Sequence, residues 1–266
     1  MDSLGFVGTG TIASAIVEGL RAAGVETPIL LSPRNAEMAA RLAARHADVR
    51  IAETNQAVLD GSGMVMLAVR PQIVDEVLPT LRFRPDHHVV SLIATVSLDR
   101  LRAAAAPAGR ITRAVPLPAV ALRRGPTAIF PGDDRIRALF DQLGSAIVLE
   151  EEAEFDLFSA ATATMASYFA FAGTIARWME RGGVDPGKAR AFTGQMLDGL
   201  AATGSGRTFA ELADEHQTRG GINEQVVRQV APDGFIPTLD AALDDVLARL
   251  RATHPASPHF AKDETE

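Results

Sequence analysis

The chain has 266 residues, 47% of them hydrophobic and 22% charged, which is enough for two modest globular domains and too apolar for a disordered chain. A net charge of −7 without a basic stripe excludes a general nucleic-acid surface, and the absence of cysteine excludes disulfides and thiolate metal sites and fits a cytoplasmic protein. No apolar run reaches membrane-spanning length, and the histidines are scattered with no H-E-x-x-H pattern, so neither membrane insertion nor a bound metal is expected.

The chain opens Leu4-Gly5-Phe6-Val7-Gly8-Thr9-Gly10-Thr11-Ile12-Ala13, an apolar run that breaks into glycines and continues as an amphipathic segment to Leu20. This is the strand, turn and helix start of a dinucleotide-binding unit. Gly8 allows the tight turn, Gly10 lets backbone approach a pyrophosphate, and the small Ala13 permits close packing of helix on strand. The N–H groups at the helix start, Thr11 and Ile12, would face the phosphate charge. A purely structural turn is the alternative, and the N-terminal strand together with Gly24 at the helix end favours the nucleotide.

The second strand, Ile29-Leu30-Leu31, ends in Ser32-Pro33-Arg34, where such folds place the residue that reads the adenosine ribose. No carboxylate stands there. A hydroxyl and a guanidinium suit a 2′-phosphate, so Ser32 and Arg34 are assigned to it and NADPH is expected over NADH; a solvated Arg34 is the alternative. A helix over 36–46 and a strand over 49–51 follow, and Thr54-Asn55 opens a short helix. The apolar run 63–69 reads as a strand buried on both faces, ending at Arg70-Pro71-Gln72. Ala68, Val69, Arg70 and Pro71, at the carboxyl end of a parallel strand, are expected to face the coenzyme, unless Pro71 merely starts the next helix, over 73–81.

Further strands are expected at 89–93, 111–115, 127–130 and 146–149, with helices at 97–106 and 134–143, and Pro116 and Pro118 stopping the ladder between them. Through residue 150 this is a doubly wound α/β dinucleotide-binding domain. From residue 151 to 254 strand signals vanish. One long Ala-rich helix over 154–181, a second over 185–202, a loop at Gly204-Ser205-Gly206 and helices near 208–215, 223–230 and 237–252 make an all-helical domain. Its apolar faces would be better covered by a second copy, so at least a homodimer is expected, and residues 255–266 read as a frayed polar tail.

With these motifs in view the chain resembles the pyrroline-5-carboxylate reductase family over nearly its whole length. Leu67-Ala68-Val69-Arg70-Pro71-Gln72 is similar to the family's Leu-Ala-Val-Lys-Pro-Gln, with Asn55 at its upstream asparagine; Val90 to Ser97 resembles its next strand and helix start. Arg113-Ala114-Val115-Pro116-Leu117-Pro118-Ala119 resembles Arg-x-Met-Pro-Asn-x-Pro-Ala, without the asparagine and one residue shorter. Asp156, Tyr168 and Gln195 match further family positions in the helical part.

The resemblance implies reduction of a cyclic imine by NAD(P)H. It places Thr162 and Thr164 at the two serines of the family's Ser-Gly-Ser-Gly-Pro, as groups orienting the imine, with helix-packing threonines as the alternative. It also places Thr218-Arg219-Gly220-Gly221-Ile222-Asn223 on Ser-Pro-Gly-Gly-Thr-Thr, the turn that binds the substrate carboxylate. Arg219, Gly220, Gly221 and Asn223 are thus the expected substrate contacts, and Arg219, new to the family pattern, points to a larger or more acidic imine or else to solvent. An imine needs little protein acid, so the lack of an acid–base constellation is consistent; His216 is a possible proton donor or a surface residue. A β-hydroxyacid dehydrogenase or open-chain imine reductase is the alternative, disfavoured because the only lysines are Lys188 and Lys262, outside the long helix. A non-catalytic NADP-binding protein is the third possibility.

Overall fold

The computed structural model describes residues 3–204, 206–230 and 235–253. The expected tail and Ser205 of the expected loop lie outside these residues. The described chain divides into two compact units, residues 3–159 with 249–253, and residues 160–248.

In the first unit the strands are β1 (Leu4–Val7), β2 (Ile29–Leu31), β3 (Val49–Ile51), β4 (Met64–Leu67), β5 (His88–Ser91), β6 (Arg110–Pro116), β7 (Gly125–Phe130) and β8 (Gly144–Val148). They form one sheet in the order β3-β2-β1-β4-β5-β6-β7-β8. Every neighbouring pair is parallel except β6 with β7. The reversal of direction beside β1, between β2 and β4, is the switch point at which such sheets bind ligands beyond the strand ends.

The helices α1 (Thr11–Ala22), α2 (Ala36–Arg45), α3 (Asn55–Asp60), α4 (Val74–Val77), α5 (Leu98–Ala104) and α6 (Asp134–Asp141) cover the two faces. The strands read as continuous apolar runs because both faces are buried. Phe6 and Met66 pack on one face with Ile16, Leu20 and Phe140, while Val7, Val65 and Leu67 pack on the other with Leu59, Val89 and Leu101. Burial of each such side chain stabilises the unit by about 1.5–3 kcal/mol. Pairing of β1 with β4 runs from Leu4↔Met64 to Val7↔Leu67, which carries the chain ends Gly8 and Ala68 to the same edge.

Two expectations are corrected here. The helix expected over 73–81 is three short pieces, a 3-10 turn Pro71–Ile73, α4, and a second turn Leu78–Thr80, because Pro79 has no N–H to continue the ladder. The ladder does stop at the prolines, but one residue beyond the expected 111–115: Pro116 is itself the last residue of β6, opposite Thr127. Pairing with β5 stops at Ser91↔Arg113, so at Pro116 the strand has a free edge on that side and needs no N–H there.

Beyond β8, α7 (Glu152–Ala161) leads into the helical unit, whose elements are α8 (Met165–Arg181), α9 (Pro186–Ala202), α10 (Phe209–Glu215), α11 (Ile222–Val230) and α12 (Phe235–Thr253). The single helix expected over 154–181 is interrupted by a 3-10 turn, Thr162–Thr164. The Thr164 hydroxyl donates to Ala161 O at 2.8 Å, the local competition by which threonine weakens a helix interior. Gly182 and Gly183 end α8, with Val184 N–H closing on Met179 O at 3.1 Å, and Asp185 caps α9 by accepting from Lys188 N–H at 3.0 Å. Thr208 and Glu211 form a capping box on α10. Among the described residues no helix is long and apolar enough to cross a membrane.

Candidate active site

The turn between β1 and α1 is built on a backbone that only glycine adopts without strain. Gly8 has φ +102°, and a Cβ there would lie 2.5 Å from Ala68 O and 2.9 Å from Val69 N. Two strand ends are therefore pressed together at this point. A Cβ at Gly10, in contrast, would meet nothing within 4 Å, so the backbone there faces open space. Gly10 is the N-cap of α1 and offers no side-chain cap, which leaves the first N–H groups of the helix, Thr11 and Ile12 among them, without that partner. An uncapped helix start beside an open glycine is a fit for the pyrophosphate of a dinucleotide.

Around this turn the expected coenzyme residues separate into two groups. Ala68, Val69, Arg70 and Pro71 continue from β4, with Ala68 N–H donating to Val7 O at 2.8 Å and both Arg70 and Pro71 exposed. Asn55 begins α3, half-buried, behind the Thr54 cap. Arg34 is exposed and makes no hydrogen bond or ion pair with the described residues. The first carboxylate after β2 is Glu37, inside the first turn of α2.

Ser32 does not do what its position suggested. Its relative exposure is 0%, and its Oγ accepts from Gly8 N–H at 2.8 Å and lies 3.2 Å from Thr9 Oγ1. A hydroxyl with no accessible surface cannot reach a ribose phosphate. The expected contact is corrected: Ser32 holds the turn from behind.

A further cluster gathers beside the carboxyl end of β5 around Arg113, which the sequence marks only as the start of a family-like motif and without its partners. The Arg113 guanidinium, whose side chain is 3% exposed, donates to Glu152 Oε1 at 2.5 Å and to Ala94 O at 2.8 Å, and lies 3.9 Å from the centre of the Phe155 ring. Glu152 Oε1 also accepts from Leu98 N–H at 2.6 Å. Burial pulls the guanidinium below arginine's ordinary value, against the opposing pull of Glu152. Since Arg113 and Glu152 are 39 residues apart, only the folded chain brings them together.

In the helical unit Thr162 and Thr164 sit in the 3-10 turn before α8. The Thr164 proton is committed to Ala161 O, so its oxygen is left as an acceptor. The turn before α11 is also occupied from within. Gly220, at φ +75°, donates its N–H to Glu224 Oε2 at 2.7 Å, and Gly221 donates to Thr218 O at 2.8 Å. The expectation that both glycines present free N–H groups is corrected on this point: the chain's own carboxylate sits on one and its own carbonyl on the other. Asn223 Nδ2 donates to His216 O at 2.9 Å, and Arg219 is exposed. His216 Nδ1 donates to Leu212 O at 2.8 Å, which puts the proton of the neutral ring on Nδ1.

Comparison with known proteins points to the same group of enzymes. Residues 3–95 match the family model described as NADP oxidoreductase coenzyme F420-dependent, and residues 152–253 match the one described as pyrroline-5-carboxylate reductase dimerisation. The pyrroline-5-carboxylate reductase of Pseudomonas aeruginosa is 26% identical over 254 residues, covering 91% of this chain and 93% of that protein. Its carboxyl-terminal part thus matches the pyrroline-5-carboxylate reductase dimerisation family, and the chain is similar to a reductase of that name over most of its length.

Among solved structures the reductase from Streptococcus pyogenes superposes with a TM-score of 0.80 at 23% identity, over 94% of this chain and 98% of that one. The Plasmodium falciparum pyrroline carboxylate reductase, solved with NADP bound, gives 0.80 at 16% identity, over 95% and 98%. These likenesses establish the shared fold, a Rossmann-type domain followed by helices. The protein is an oxidoreductase with an NAD(P)-binding fold. Against the pyrroline-5-carboxylate reductase pattern its departures sit at the 218–223 turn, where Arg219 and Asn223 replace proline and threonine, and at Thr162–Thr164, where hydroxyls persist without the family's glycines and proline.

Proposed function

We propose that the protein is an NADPH-dependent reductase of cyclic C=N bonds, acting on pyrroline-5-carboxylate or a related imine. The observation that carries the reading is the β1–α1 turn, where Gly8 and Gly10 leave the uncapped start of α1 open in a chain similar to these reductases. Gly10, Thr11 and Ile12 hold the pyrophosphate through backbone N–H groups; Ala68, Val69, Arg70 and Pro71 line the coenzyme from the end of β4, and Asn55 from the start of α3. Bound there, the coenzyme supplies a hydride.

The protein's own share of the chemistry is positioning. A C=N nitrogen takes its proton from water near neutral pH, and the resulting iminium N–H is a donor. Thr164 Oγ1, its own proton given to Ala161 O, accepts from that N–H, and Thr162 supplies the second hydroxyl of the same turn. The 219–223 turn receives the carboxyl side of the substrate. A cytoplasmic location accompanies this reading and is supported by the lack of cysteine.

Selection of NADPH over NADH rests on Arg34 alone, now that Ser32 is buried. Replacing Arg34 with Asp removes one or two charge-assisted hydrogen bonds worth about 1.5–3 kcal/mol each. The KM for NADPH should rise at least tenfold and that for NADH hardly at all. The assay is NADPH oxidation with a panel of cyclic imines, with and without carboxylate. Turnover confined to hydroxyacids, or equal effects of Arg34→Asp on both coenzymes, would sink the corresponding half of the proposal.

The assembly is a homodimer, or a higher oligomer built from it, joined through the helical unit. That unit exposes Phe169 by 70%, Trp178 by 68% and Phe209 by 86%, and α8 buries none of its residues. Large apolar side chains exposed in this number mark a candidate interface. The wild-type chain should sediment as a dimer or larger at micromolar concentration, and Phe169→Glu with Trp178→Glu should shift it to monomer. A monomeric wild type that turns over fully removes the idea.

A further inference from the structure

We propose that Ser32 and Thr9 are positioning residues for the coenzyme, holding the glycine turn in its binding shape through a closed ring of buried hydrogen bonds. The inference rests on the dinucleotide reading above. Both side chains are almost without accessible surface, at 0% for Ser32 and 2% for Thr9, so neither touches a ligand. Thr9 Oγ1 lies 2.9 Å from Ser32 O, a carbonyl that can only accept, so the threonine proton goes there. With that proton committed, the 3.2 Å contact between the two hydroxyls has Ser32 as donor and Thr9 as acceptor. Ser32 Oγ then has a lone pair for Gly8 N–H at 2.8 Å, and every member of the ring is satisfied.

The ring matters because of where it is anchored. Ser32 N–H donates to Phe6 O at 3.0 Å, so its side chain is fixed to the end of β2 by the sheet itself. From that fixed point it grips the N–H of Gly8, the residue at φ +102° that turns the chain toward Gly10. The side chain that fixes the phosphate turn therefore lies 24 residues away from it, in the strand end that the sequence assigns to the ribose. Losing either hydroxyl leaves a buried polar group unpaired and frees the turn to adopt other conformations, which lowers the fraction of molecules able to bind.

The test measures dissociation constants of NADPH and NADH on the full chain by nicotinamide fluorescence, with thermal melting of the coenzyme-free protein alongside. Ser32→Ala and the isosteric Thr9→Val should each weaken both coenzymes by about tenfold and leave their ratio unchanged. The double variant should be little worse than either single one, because both break one ring. Thr9→Ser, which keeps the hydroxyl, should recover most of the affinity lost in Thr9→Val, a rescue that a general loss of packing does not give. If Ser32→Ala does not fold, the Thr9 pair decides alone. An effect on NADPH without one on NADH would make Ser32 a ribose-phosphate contact and overturn the proposal; so would unchanged affinity in both variants. Wild-type protein that binds neither coenzyme would instead bring down the dinucleotide reading, and this inference with it.

Discussion

Gly8→Ala should abolish coenzyme binding at working concentrations while leaving the sheet folded. The added methyl must adopt φ +102°, at about 1–3 kcal/mol, and must also occupy space 2.5 Å from Ala68 O, which is backbone and cannot rotate aside. Relieving that overlap costs about 1–3 kcal/mol more and moves the turn away from the end of β4. The sum corresponds to a loss of affinity on the order of a hundredfold or greater. Calorimetric titration with NADPH checks it, and an affinity within threefold of wild type would show that the turn is not the binding element. Gly10→Ala is the informative control. Its Cβ meets no protein atom, so any loss there reports the ligand and not the fold.

Glu152→Ala is expected to be the most destabilising single change outside the hydrophobic core. It strands the buried Arg113 guanidinium without its counter-charge and leaves Leu98 N–H without an acceptor. Breaking a buried pair this way costs about 3–5 kcal/mol, and the 32% exposure of the Glu152 side chain puts the value near the lower figure. For a unit of this size about 3 kcal/mol is a fall in Tm of roughly 6–12 °C. Glu152→Gln keeps an oxygen acceptor for Leu98 N–H and should lose less than half as much. Scanning calorimetry decides: a shift under 2 °C for the alanine variant, on the order of 1 kcal/mol or less, would mean the pair contributes no net stability. The Ala94–Leu98 segment hangs from this cluster at the carboxyl end of β5, so the variant should also weaken coenzyme binding.

What could be read from the sequence was what is local and periodic. The runs at 4–7 and 64–67 announce strands buried on both faces, and Asp185 with Pro186 announces the start of α9, because each depends on neighbours within one turn or one pleat. Ser32 could be placed at the end of β2 but not given its partner, since its hydroxyl answers to a backbone group 24 residues earlier. Arg113 stands out as part of a motif, but its partners Glu152 and Phe155 are unremarkable letters until β6 and α7 meet. The break at Thr162–Thr164 had a local cause, threonine bonding back to the preceding turn, but good helix formers on both sides hid it. Residues 220 and 224 are one helical turn apart, so the link between them is local enough to be legible in the sequence.

That link bears on the proposed role of the 219–223 turn as a carboxylate site. Glu224 is a competing ligand built into the protein, tethered four residues from the N–H it occupies. A tether that short gives an effective concentration on the order of millimolar or above. An incoming carboxylate that uses Gly220 N–H has to outcompete it, so its apparent dissociation constant is its intrinsic one divided by the fraction of turns that Glu224 has vacated. An imine without a carboxylate meets no such competitor. Glu224 thus lowers the advantage that binding at Gly220 N–H gives a carboxylated imine over an uncharged one, without reversing it.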